Sequence, residues 1–270
     1  MSQGNIDTNS ETPESSQENI KEKRFDTFQL FFTIFPAVFF FVSWLVANVP
    51  IAENVIWVSA FFIVVLAIPS YIFLYRWVGL KLALVILVVF SILPIAIEAL
   101  GITTGFPYGW FYYSENLGYR ILDLVPWSVA FAFAPLVLGS LSLASYVTKD
   151  ARLAIPLSAL ILVWTDLVLD PAAVLLEIWI WVYPGTYYGI PISNYVGWFL
   201  TATLASTILH GVLSGKSVET SPLDSRLATS HLLIAAFWTG YTVWTGLVIP
   251  AILGLLLFII LYYYVVIRGK

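Results

Sequence analysis

Cysteine is absent from this chain, histidine occurs only as His210 and His231, and there is a single methionine. Without thiols there are no disulfides, no thiolate metal sites and no thiol nucleophiles. Two histidines are too few for a membrane di-iron hydroxylase or for haem ligated by paired histidines. Charge is scarce as well: 10% of the 270 residues are charged, against about 25% in a soluble domain. Hydrophobic residues make up 60% and aromatic residues 17%. That leaves too little polar surface for a water-soluble globule and places the chain in a membrane. No Gly-rich phosphate loop, Ser-His-Asp order or internal repeat is visible, and no nucleic-acid partner is expected.

The net charge of −4 hides an uneven distribution. Residues 1–26 hold six of the acids, at Asp7, Glu11, Glu14, Glu18, Glu22 and Asp26, against three bases. This stretch is rich in Ser, Asn, Gln, Thr and Glu and cannot bury a core, so it is expected to be a disordered polar tail. It has no apolar run after a basic start, so it does not read as a signal peptide. Residues 27–270 are expected to form a single transmembrane domain.

About 20 apolar residues span a bilayer. Runs of that kind fall near 28–49, 55–75, 80–100, 124–147, 152–170, 195–213, 228–248 and 250–267. The last two require a tight break near Ile249-Pro250. The expected fold is an all-α polytopic membrane helix bundle of about eight transmembrane helices. With the N-terminus in the cytoplasm, the inner segments carry Lys21, Lys23, Arg24, Arg76, Lys81, Lys149, Arg152, Lys216, Arg226, Arg268 and Lys270. Only Arg120 falls outside. The positive-inside rule therefore puts both termini in the cytoplasm. No lysine lies in mid-membrane, so a retinal Schiff base has no attachment point.

The remaining acids sort the opposite way. Asp150, Glu219 and Asp224 are inside; Glu53, Glu98, Glu115, Asp123, Asp166, Asp170 and Glu177 are outside or in the outer halves of helices. Carboxyls crowded into an apolar setting cannot all ionise, and one that stays an acid can give a proton away. Glu53 and Glu115 read as solvated loop residues. Glu98 still lies within the third apolar run, and acids inside membrane helices mark function by default.

The centre of the chain is Trp164-Thr165-Asp166-Leu167-Val168-Leu169-Asp170-Pro171. Two carboxyls four residues apart share one helical face. Asp166 lies about 6 Å deeper than Asp170 by helical rise. Trp164, Trp179, Trp181, Tyr187, Tyr188 and Trp198 can wall an apolar pocket around them. Asp170 also suits a helix N-cap and Pro171 a first helical position. On that reading Pro171 ends the fifth span and a short interfacial helix runs over 171–182.

Two outer connections, 101–123 and 171–194, are long, aromatic and nearly free of bases. An interfacial aromatic belt explains part of this. Gly105, Pro107, Gly109, Gly185, Gly189 and Pro191 add turns that fold back and cap the bundle. Glu98, Asp166 and Asp170 are expected to converge beneath the loops holding Tyr108, Tyr112, Trp179, Trp181, Tyr187 and Asn194. His210 and His231 read as ordinary interfacial residues at the inner ends of the sixth and seventh spans, not as a metal pair.

Thr104-Gly105-Phe106-Pro107-Tyr108-Gly109 with Tyr112-Tyr113 and Leu117-Gly118 forms one block, and Trp164 through Pro171 begins a second. The second continues through Trp179-Ile180-Trp181, Gly185 to Pro191, Asn194 and Gly197-Trp198. These blocks, covering roughly 95–200, resemble the carotenoid-biosynthesis hydratase family. Its members add water to the terminal double bond of an acyclic carotenoid end, in the bacterioruberin pathway or on monocyclic carotenes. The chain departs from the family after Leu117-Gly118. There it reads Asp123-Leu124-Val125-Pro126 and then Phe131 or Phe133, in place of Gly-Val-Pro and a Trp.

The resemblance implies a hydro-lyase of the cell membrane acting on a carotenoid dissolved in the lipid bilayer, with other carotenoid-pathway membrane enzymes as candidate partners. The residues agree with that chemistry on their own terms. Hydrating a trisubstituted alkene needs an acid able to protonate carbon, a cation stabiliser and a water. A desolvated Asp166 or Glu98 supplies the acid, and Asp170, nearer water, orients the nucleophile. Aromatic faces stabilise a tertiary cation. The catalytic candidates are therefore Asp166, Asp170 and Glu98; the substrate-binding candidates are Tyr108, Tyr112, Trp164, Trp179, Trp181, Tyr187, Asn194 and Trp198. No metal or redox cofactor is expected. A carotene cyclase shares the first protonation. An intramembrane prenyltransferase would use Asp166 and Asp170 as a D-x-x-x-D pair, but the outer side offers one Arg for a diphosphate. A proton-coupled transporter or lipid-binding scaffold is the non-enzymatic alternative.

Overall fold

The computed structural model describes residues 13–49, 56–214 and 222–268. Eight α-helices dominate: α1 (Pro13–Asn48), α2 (Ile56–Val78), α3 (Leu80–Thr104), α4 (Val129–Val147), α5 (Ala151–Leu175), α6 (Ile192–Ser214), α7 (Thr229–Trp244) and α8 (Val248–Tyr262). Seven helical stretches are long and apolar enough to cross a membrane. The exception, α7, has 16 residues, roughly 24 Å of rise. A 3-10 turn at Ser225–Ala228 leads directly into it. It packs against α1, α2, α4, α5 and α8 and is buried over most of its length. The fold is thus the polytopic all-α bundle expected from hydropathy, with one short helix walled in by its neighbours.

Three local expectations need correction or qualification. The polar stretch expected as a disordered tail over 1–26 enters α1 at Pro13. Proline suits a first helical position. The break between the last two helices lies at Thr245-Gly246-Leu247, with Gly246 at φ 73°, so Pro250 sits inside the first turn of α8, where its missing N–H is tolerated. Finally, Glu53, Lys216, Glu219 and Lys270, used in the charge sorting, lie outside the described residues.

One end of the bundle gathers Arg76, Arg226 and Arg268. The Arg226 guanidinium lies 5.5 Å from the Phe73 ring centre and Arg76 lies 6.0 Å from it. Ser142 Oγ donates to the Asp224 carbonyl at 2.9 Å. Leu223 N donates to Ser145 Oγ at 2.9 Å. Arg268 stacks over Tyr146 at 4.1 Å. These contacts tie α2, α4, the approach to α7 and the end of the chain together, and Lys81 and Lys149 flank the same turns.

The opposite end carries the outer connections. Strand β1 (Phe111–Tyr113) pairs antiparallel with β4 (Trp179–Trp181), Phe111 opposite Trp181 and Tyr113 opposite Trp179. The two aromatic connections are therefore one structure, stitched by a ladder. A hairpin of β2 (Arg120–Ile121) and β3 (Val125–Pro126) closes beside it. Its turn residues Leu122 and Asp123 have φ of 53° and 56°, the geometry of a type I′ turn.

Candidate functional site

The site is built on α5. Its mid-helix proline does not end the helix, which runs unbroken through Pro171 to Leu175. The expected helix start at Asp170 is thus corrected: Asp170 is a helix-interior residue. Proline at 171 lacks the N–H that would bond the Leu167 carbonyl four residues back. The Tyr187 hydroxyl, from the following loop, donates to that carbonyl at 2.9 Å. Burial pushes the Tyr187 phenol up to about 12, so it stays a donor. The same repair occurs on α4, where Pro135 frees the Phe131 carbonyl and Tyr71 donates to it at 3.0 Å.

With α5 intact, Asp166 and Asp170 sit one turn apart on one buried face, 4% and 2% exposed. Glu98, 3% exposed, reaches the same space from the outer part of α3. Asn194, in the first turn of α6, donates its Nδ2 to Asp170 Oδ2 at 2.5 Å. The Tyr113 hydroxyl donates to Glu98 Oε2 at 2.6 Å. Burial and the adjoining Glu98 carboxyl hold the Tyr113 phenol well above its ordinary value, which keeps that proton on tyrosine. Asp166 differs: its Oδ2 is buried and meets no hydrogen-bond partner.

Tyr108 is the post around which the outer end closes. Helix α3 stops at Gly105, whose φ of 79° makes the left-handed cap, with its N–H bonded to the Gly101 carbonyl. A Cβ on Gly101 would lie 2.8 Å from Tyr108 Cδ2, and one on Gly197 2.5 Å from Tyr108 Cδ1. The ring is therefore seated between bare backbone on α3 and α6, and its hydroxyl shares a hydrogen bond of 2.9 Å with Thr201. Trp198 packs on Tyr108 at 4.8 Å and Phe133 on Trp198 at 5.8 Å.

These groups enclose a cavity of about 160 Å³ lined by Glu98, Asp166, Asp170, Asn194, Tyr108 and Tyr113, and otherwise by apolar and aromatic side chains. Trp179, Trp181 and Trp198 line it from the loops and α6; Phe62, Phe131, Phe133, Phe237 and Trp238 line it from α2, α4 and α7. A cavity of roughly 150 Å³ holds a benzene-sized group, so this one suits one apolar end group and not a long chain. Among the described residues, no cluster of three or more Asp, Glu, His or Cys side chains could hold a metal ion.

Three of the expected binding residues stand elsewhere. Tyr112 is 49% exposed, because strand alternation turns Phe111 and Tyr113 inward and Tyr112 out. Trp164 points its indole at α8, donating to the Leu253 carbonyl at 3.0 Å. Tyr187 serves the α5 backbone. His231 is not interfacial: it is fully buried, with Nε2 2.7 Å from Thr165 Oγ1. His210 does lie at the inner end, near Lys149 and Thr148. Tyr113, Phe237 and Trp238 line the cavity unforeseen. For Tyr113 a signal existed, since Trp179-Ile180-Trp181 already alternates large and small, and pairing it with Phe111-Tyr112-Tyr113 selects Tyr113. For α7, an apolar run without acids offers no signal.

An all-α bundle around an acid-lined aromatic cavity defines a polytopic integral membrane protein with a site for an apolar end group. The chain belongs to the family described as carotenoid biosynthesis protein, which matches residues 55–261. A curated relative from Haloarcula japonica, named bisanhydrobacterioruberin hydratase, is 34% identical over 184 residues. The match covers 64% of this chain and 61% of the relative's length. No solved structure matches.

Proposed function

We propose that this protein is a carotenoid hydratase of the cell membrane. It adds water to the terminal double bond of an acyclic carotenoid end, giving a tertiary alcohol. The observation that carries the reading is Asp166, a buried carboxyl with an unpartnered Oδ2 in an otherwise apolar, aromatic cavity. Family membership and the relative's name support the same substrate class.

In this mechanism Asp166, in its acid form, gives its proton to the CH carbon of the terminal alkene. The π electrons form the new C–H bond, and positive charge develops on the carbon bearing the two methyl groups. The faces of Trp198 and Trp179 stabilise that charge, an interaction worth about 2 kcal/mol or more when desolvated. A water oxygen adds to the cation. Asp170, held by Asn194, takes the released proton. Transfer to Asp166 one turn deeper restores the acid, so the net change is addition of one water. Glu98, anchored by Tyr113, lines the same space and completes the acidic wall. The substrate comes from the lipid phase, and the polyene stays outside a cavity sized for its end.

The test is expression of the full chain in a host that makes bisanhydrobacterioruberin, followed by mass analysis of the pigments. The reading requires a gain of one water per reacted end. An isomer of unchanged mass would mean ring closure instead, and unaltered pigment would count against both.

A further inference from the structure

Water must be held inside a cavity that is almost wholly apolar. A buried water typically needs two to four polar partners. The carboxyls of Asp166, Asp170 and Glu98 offer acceptor oxygens, but once Asp166 has given up its proton an oxygen seated in the cavity also needs a donor. Three of the polar side chains that line the cavity are already engaged with one another or with a neighbour. The Tyr113 hydroxyl proton goes to Glu98, the Tyr108 hydroxyl is hydrogen-bonded with Thr201, and Asn194 donates to Asp170.

Trp181 is different. It lines the cavity, is 8% exposed, and its Nε1 is buried with no acceptor. Its ring cannot easily turn away. It packs on Phe111 at 5.2 Å, β1–β4 pairing fixes its backbone, and Gly109 lies close beneath it, where a Cβ would come within 3.7 Å of Cζ3. An uncommitted donor held rigidly in such a place has a measurable desolvation cost, about 1–3 kcal/mol, unless something it binds relieves it.

We propose that the Trp181 indole N–H is the donor that seats the reacting oxygen, first as water and then as the tertiary hydroxyl of the product. The inference rests on the hydratase reading and adds a residue to it. One lone pair of the water attacks the cationic carbon, the other accepts from Nε1, and one of its protons passes to Asp170. Without the donor, water is poorly placed and the cation has another exit. It returns a proton, from the protonated carbon or from a neighbouring methyl, to the carboxylate and becomes an alkene again.

The experiment uses membranes carrying the full chain, supplied with bisanhydrobacterioruberin in deuterium oxide. Alcohol formation and deuterium in the recovered alkene are both measured by mass. In Trp181→Phe the ratio of deuterated alkene to alcohol should rise about 10-fold, the worth of one hydrogen bond. Trp181→His keeps a ring N–H and should bring the ratio back toward that of the parent. Both quantities come from the same folded molecules, so lower expression leaves the ratio unmoved. If Trp181→Phe does not fold, the His variant decides: a parental ratio supports the donor role and a raised one overturns it. An unchanged ratio in Trp181→Phe overturns it while leaving the hydratase reading intact. A parent chain that yields neither alcohol nor deuterium exchange removes the hydratase reading itself.

Discussion

Asn194 grips Asp170 Oδ2 at 2.5 Å, while one turn deeper on the same helix Asp166 Oδ2 touches no donor. Two identical carboxyls are thereby given different surroundings four residues apart. The Asn194 amide occupies one oxygen of Asp170 and holds that carboxyl in place. The unpartnered oxygen is the one free to meet a substrate carbon. Asp166→Asn, which keeps shape and removes the acid, should lower hydration by at least about 100-fold, the lower end of general acid catalysis, while insertion and carotenoid binding persist. Glu98→Gln should cost less, because Tyr113 can still bond the amide. Pigment analysis with equal amounts of membrane protein checks both, and a fully active Asp166→Asn chain would refute the assignment.

The hydrogen bond from Tyr187 to the Leu167 carbonyl predicts a stability effect separable from catalysis. Tyr187→Phe leaves that carbonyl unpaired beside Pro171 and should destabilise the protein by about 1 kcal/mol. Replacing Pro171 by Ala supplies the missing N–H. The double variant should therefore be less destabilised than Tyr187→Phe alone, a coupling that a thermal-melt double-mutant cycle measures. Strict additivity would mean that the tyrosine plays no such role.

Tyr108 is clasped between Gly101 and Gly197. Gly101→Ala or Gly197→Ala would press a methyl into the ring at less than van der Waals distance, and overpacking of this kind costs about 1–3 kcal/mol. Either methyl would displace a ring that lines the cavity and so alter the shape of the site. Both variants should lose hydration activity. Gly79→Ala, at a turn with open space beyond but φ 78°, should cost stability without narrowing the cavity. Parental activity in both clasp variants would argue against a tightly fitted end-group site.

Much of this architecture is legible in the sequence. Hydropathy gives the spans, and the scarcity of charge makes each intramembrane acid conspicuous: Glu98, Asp166 and Asp170 do share one cavity. What escapes is set by contacts distant in sequence. Proline at 171 reads as a helix end because its repair by Tyr187 lies in another segment. Three-residue strands such as Phe111–Tyr113 carry no phase, so Tyr112 and Tyr113 are indistinguishable until Trp179–Trp181 is placed opposite them. Trp164 belongs to α8 through a backbone carbonyl that no side-chain pattern reports. His231, near the start of α7, looks interfacial; Gly139 of α4 and Thr165 of α5 lie against it, and it is fully buried.

Sidedness offers an independent check. Arg76, Arg226 and Arg268 gather at the end of the bundle opposite the cavity, while Arg120 donates to the Tyr113 carbonyl at the cavity end; with one described base on that side, both termini are expected in the cytoplasm. Tags at the two ends should show the same protease protection in sealed vesicles. Opposite protection would place the acidic cavity on the wrong side of the charge asymmetry.

The central claim is that water, activated after protonation by Asp166, becomes the new hydroxyl. The most direct measurement is the isotopic origin of that oxygen. Membranes carrying the chain would be given bisanhydrobacterioruberin in oxygen-18 water under ordinary air. The account predicts one heavy oxygen per alcohol formed, undiminished when dioxygen and EDTA-removable metals are excluded, and alcohol formation at least about 100-fold slower in Asp166→Asn. Hydroxyl oxygen drawn from dioxygen, or a labelled alcohol still formed at full rate by Asp166→Asn, would contradict it.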